Sequence, residues 1–143
     1  MIDDRGQALV LAVLALAIAA VTIVGLVAAQ ERILADVHER RAGEAAVEAA
    51  GAALADAQVD LITSLRDQLG PAAAPTRADL DALVADPLVL DRSRSAADEL
   101  AAANGAGPVR DLAITVAGRS LEIALGVGSH TQRVSIPVTC CRR

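Results

Sequence analysis

Residues 8–29 read ALVLAVLALAIAAVTIVGLVAA, an apolar run with no charge that starts directly behind a seven-residue polar leader, MIDDRGQ. At about 1.5 Å per residue the run reaches about 33 Å as a helix, enough to cross a bilayer core of roughly 30 Å. A lone span survives in lipid only as a helix, because every backbone polar group must then be paired within the segment. The expectation is a transmembrane helix over residues 8–29 that carries whatever follows it. The competing expectation is a secretory signal, since Val27-Ala28-Ala29 before Gln30 has the small-residue character of a signal-peptidase site, although the run exceeds the usual 7–15 residues. Ala8/Ala12, Ala15/Ala19 and Gly25/Ala29 repeat a small-xxx-small spacing, which makes Ala15, Ala19, Gly25 and Ala29 candidates for helix–helix packing.

The chain has 143 residues, so about 110 remain beyond the span, enough for one small domain. Phe, Tyr and Trp are absent, and all 13 basic residues are Arg, so the core must be built from Leu, Val, Ile and Ala. A net charge of −5, with no basic cluster longer than Arg40-Arg41 and Arg142-Arg143, argues against a nucleic-acid partner. The leader holds one Arg, whereas Arg32, Arg40 and Arg41 follow the span, and a positive-inside count on these places the body in the cytoplasm.

Helical periodicity continues beyond the membrane segment. Ile33, Val37, Val47, Ala50, Leu54, Ala57, Leu61, Leu65 and Leu69 recur at three-and-four spacing down to Gly70-Pro71, which predicts one helix over residues 7–69, amphipathic in its far half (30–70). A linker with two short helices is expected over residues 71–110. Thr76 caps the first, which runs to Asp86 and is stopped by Pro87; the second runs from Ser95 to Asn104, with Ser95 and Asp98 as a capping-box variant and Asn104-Gly105 as the exit. On this reading residues 91–95 are a solvated loop.

The period then changes from 3.6 to 2. Leu112, Ile114 and Val116 alternate with polar or small residues, as do Leu121, Ile123, Leu125 and Val127, and finally Val134, Ile136 and Val138, with Gly118-Arg119 and residues 128–131 as turns. This predicts a three-stranded antiparallel meander over residues 111–143 that ends in a Cys-Cys tail, with Pro137 on an edge strand. Leu54, Leu61 and Leu65 are expected against the face formed by Ile114, Ile123, Leu125 and Ile136. The expected fold class is α+β, a long N-terminal helix packed on a small meander, an arrangement that resembles the architecture of pilins.

No catalytic, cofactor or metal constellation emerges. His38 falls on the polar face of the helix and His130 in a turn, and neither has a partner at the spacing that nucleophilic or metal chemistry requires. The expectation is a non-enzymatic protein without cofactor or small-molecule substrate. Cys140 and Cys141 are adjacent, and a disulfide between neighbours closes a strained ring, so pairing between chains or two free thiols are the open alternatives.

Arg5-Gly6-Gln7-Ala8-Leu9-Val10, at the entry to the apolar run, resembles the opening of TadE/TadG-like components of tight-adherence (Flp) pilus systems, and residues 39–54 (ERRAGEAAVEAAGAAL) are similar to the Arg- and Ala-rich helix that trails the anchor in that family. The resemblance covers about the first 55 residues. It implies a cytoplasmic N-terminus, an extracytoplasmic body and a role as a pilin-like or pseudopilin-like component, with the membrane and other pilus-assembly subunits, including further copies of the chain, as partners. It also implies prepilin cleavage between Gly6 and Gln7. Leu11 stands where such pilins carry Glu at the fifth mature position, which favours an anchored accessory or minor component over a major pilin. The alternatives of other classes are a single-span envelope protein that binds a partner, and a small secreted domain released after Ala29.

Overall fold

The computed structural model describes residues 4–138, with the side chains of residue 7 and residues 9–138. The elements are α1 (Asp4–Leu69), α2 (Arg77–Ala85), α3 (Pro87–Ala103), β1 (Arg110–Ala117), β2 (Ser120–Val127) and β3 (His130–Pro137). The chain divides into two compact units, Met1–Val37 and His38–Arg143.

α1 is continuous over 66 residues. No Pro interrupts it, and the good helix formers Ala, Leu, Glu and Arg make up most of its length. It stops at Gly70, whose φ of +101° is open to glycine and whose N–H donates to Arg66 O at 2.9 Å; Pro71 follows.

In the first unit the helix stands bare. Every large apolar side chain from Leu9 to Val27 is exposed, Leu16 at 75%.

In the second unit the strands form a meander in the order β1-β2-β3, all antiparallel. Two-residue loops join them, and both open on a glycine with positive φ, Gly118 at 60° and Gly128 at 57°, as the hairpin turns that match strand twist require. Register aligns Ile114 with Ile123 and Ile123 with Val134, and Leu121 with Ile136, so the apolar sets share one face. Pro137 lies on β3, an edge strand, where its missing N–H leaves no ladder bond unmade. Near its start β1 carries a bulge between Arg110 and Ala113, with Asp111 at φ 55°, a left-handed conformation that Asp tolerates better than most side chains.

Residues 38–69 of α1 cover the apolar face. Ala42, Ala46, Val47, Ala50, Leu54 and Ala57 are buried with Leu121, Ile123, Leu125 and Val127. The approach is close because two positions have no side chain. A Cβ at Gly43 would lie 3.0 Å from Gln132 Cγ, and one at Gly51 would lie 3.5 Å from Val134 Cγ1 and 3.6 Å from Ile136 Cδ1.

Leu54 meets the sheet as expected, but Leu61 and Leu65 are half-buried beyond the fully buried stripe. The reason is length. A strand of eight residues spans about 27 Å, which is matched by about 18 residues of helix. Glu39 sits at the β2–β3 turn, so the sheet is used up near Ala57.

α2 agrees with its expected limits. Thr76 and Asp79 form a reciprocal capping box, in which Asp79 N–H donates to Thr76 Oγ1 at 3.3 Å and Thr76 N–H donates to Asp79 Oδ2 at 2.7 Å.

The second short helix differs from its expected bounds. It begins at Pro87 rather than Ser95, and residues 91–95 are helical rather than a loop. Pro87 does not stop a helix here but starts one: it occupies the first helical turn, where its missing N–H is harmless, and Asp86 caps it by accepting from Leu88 N–H at 2.9 Å. Val89, Ser93, Ala97 and Ala101, four apart, form its buried face. Asp98, expected in a capping box, instead accepts from Val109 N–H at 2.7 Å and fixes the chain leading into β1. The exit at Asn104-Gly105 is as expected: Ala106 N–H donates to Ala101 O and Gly105 N–H to Ala102 O, with Gly105 at φ 75°.

Candidate functional site: an apolar helix and a lateral groove

Among the described residues one helix, α1, is long and apolar enough to cross a membrane, and its apolar window is wholly unburied. The one hydroxyl of residues 8–29, Thr22, donates to Ile18 O at 2.8 Å and so presents no unpaired donor to an apolar surrounding. Ala15, Ala19 and Ala29 are exposed, and nothing lies within 4 Å of a Cβ built on Gly25, so the four expected packing residues touch no other element of their unit. The expected cleavage point, Gly6 and Gln7, falls in the first turns of α1. Cys140 and Cys141 lie outside the described residues.

The second unit has a groove of about 390 Å³ where α1, α2 and α3 converge. Ala57, Leu61, Leu83, Leu88 and Val89 give it an apolar floor, and Asp60, Ser64, Asp86 and Arg92 stand around it. It exists because α1 outruns the sheet, leaving Leu61 to meet the α2–α3 corner instead. Leu88 is 74% exposed at the groove, and Asp86 is already engaged in capping α3. None of these residues was picked out as a site in the sequence, since they come from three elements that no single periodicity links.

At the other end of the sheet Glu39 grips the β2–β3 turn. Its Oε2 accepts from Ser129 N–H and Ser129 Oγ–H, each at 3.3 Å, and Arg110 Nη2 donates to Gly128 O from the β1 side. Arg77 ties α2 to β1 by donating to Val116 O at 2.9 Å while it pairs with Asp81 at 3.0 Å. Asp79 is held below the ordinary carboxylate value, first by the hydrogen bond from the Thr76 backbone and then by the one from its hydroxyl.

His38 is exposed on α1, and His130 is half-buried at the start of β3 and holds an interaction there. Among the described residues no group of three or more His, Cys, Asp or Glu is placed to hold a metal ion.

No protein-family model, curated protein or solved structure matches the chain. Two surfaces are open to partners: the apolar helix, without a covering in its own unit, and the groove of the second unit.

Proposed function

We propose that the chain is a membrane-anchored, pilin-like structural component of an envelope assembly of the tight-adherence type, with its N-terminus in the cytoplasm and its body on the extracytoplasmic side. One observation carries this reading: a single uninterrupted helix supplies both the bare apolar segment and the spine on which the sheet is built. A separately folded domain joined to an anchor by a linker has no need of that continuity. The resemblance of residues 5–10 and 39–54 to TadE/TadG-like proteins adds the system, and Leu11 in place of a Glu favours an anchored accessory or minor component over the main filament subunit. The role in this reading is one of assembly, with the groove, where Asp60, Asp86, Arg92 and Ser64 stand around an apolar floor, as a surface of the body open to a partner.

N-terminal sequencing of the mature protein purified from membranes tests the reading. A start at Gln7 supports a pilin-like subunit, and a start at Met1 fits either an uncleaved accessory or a single-span envelope protein that binds a partner. A start at Gln30 in a soluble fraction overturns it in favour of a secreted domain.

A further inference from the structure

The apolar character of α1 outlasts its uncharged run. Beyond Ala29, Ile33, Leu34 and Val37 are exposed at 64%, 59% and 39%, while Glu31 and Arg32 lie away from Ile33 and Val37 on the helix and Asp36, three residues on from Ile33, stands at their flank. Followed back at three-and-four spacing, the line Val37, Ile33, Gln30, Leu26, Thr22, Ala19, Ala15, Ala12 runs uncharged along one face of the first unit for about 38 Å. Every residue on it is exposed.

The kind of residue on this line changes where the solvent would change. Within the apolar run the line is mostly small, and in lipid, where burial of apolar surface gives no drive, close backbone approach and van der Waals packing hold helices together. Past residue 29 it carries Ile and Val, and in water burial of such side chains is what drives association. A polar Gln30 stands between the two regimes, the type of residue that fixes register when it faces its own counterpart across a seam.

We propose that this line is the seam of a parallel pair formed with a second copy of the chain. The inference rests on the membrane reading above, because a shared membrane makes the two helices run parallel. A second copy presents the same switch from small to large residues at the same depth. With Gln30 and Val37 on the seam, Asp36 of one copy faces Arg41 of the other, five residues further on, and the pair is complementary in charge on both flanks.

The test uses the full chain in its native membrane, with Cys140→Ser and Cys141→Ser as background and one added cysteine at a time. Ile33→Cys and Val37→Cys, on the seam, are expected to give a disulfide-linked dimer under a mild added oxidant several-fold more efficiently than Ala35→Cys on the opposite face. Alkaline carbonate extraction of the same membranes reports the anchor separately. A chain that stays in the membrane but cross-links equally from all three positions, or from none, overturns the pair alone, as does a cross-linked product containing a different protein. A chain extracted by carbonate overturns the membrane reading and the pair with it.

Discussion

Gly43 and Gly51 each weaken an isolated helix by roughly 1 kcal/mol relative to Ala, and both lie where α1 comes down onto the sheet. They are not equivalent. A Cβ on Gly51 would make ordinary contact with Val134 and Ile136, so Gly51→Ala is expected to raise stability by about 0.5–1 kcal/mol, whereas Gly51→Leu overfills the interface and costs roughly 1–3 kcal/mol. Thermal melts of the detergent-solubilised chain read both; a destabilising Gly51→Ala would mean the helix sits closer to the sheet than described. Ser93 presents the opposite case, a fully buried Oγ with no hydrogen-bond partner among the described residues, so Ser93→Ala removes an uncompensated polar group and is expected to stabilise by about 1 kcal/mol in the same melts. Asp79 gives a pH signature. Its carboxyl titrates below its ordinary value of 3.8 in the folded state, so the stability it adds to α2 is fully present above that value and is lost as pH falls through the lowered one. The difference in stability between the parent and Asp79→Asn should therefore be steady near neutrality and close at acid pH; a gap that widens on acidification would contradict the capping box.

The elements were legible in the sequence where one signal governed them. α1 follows from an unbroken pattern that ends at Gly70-Pro71, and the three strands follow from strict alternation between Gly-containing turns, so helix, meander and the edge position of Pro137 all match. α3 did not, because Pro87 carries two meanings. After a helix it reads as a stop, and only the Asp86 cap turns it into a start; the clue in the sequence was the four-residue spacing of Val89, Ser93, Ala97 and Ala101, obscured by a serine in an apolar row. Leu61 and Leu65 were misplaced for a different reason: periodicity tells which face of a helix is apolar but not where its cover ends, and that limit is set by the length of β2 and β3. The long apolar helix was legible from composition alone, whereas the groove, assembled from α1, α2 and α3, was not. A pair of truncations separates the two leucine sites. Leu54→Ala, at a fully buried position, should cost roughly 2–5 kcal/mol, and Leu61→Ala, on the open groove, well under half as much. Equal losses would mean that the sheet extends its cover to Leu61.

For the molecule as a whole, the central claim is that α1 crosses a membrane and carries the body outside. Arg32, Arg40 and Arg41 against a single Arg in the leader argue for the reverse orientation, so the claim is exposed to a direct check. The C-terminal thiols, Cys140 and Cys141, provide it. Intact cells are treated with a membrane-impermeant reductant and then a membrane-impermeant maleimide, and labelling of the membrane-fraction protein is compared with that obtained after lysis. The account predicts full labelling before lysis. Labelling that appears only after lysis would place residues 38–143 in the cytoplasm and contradict it.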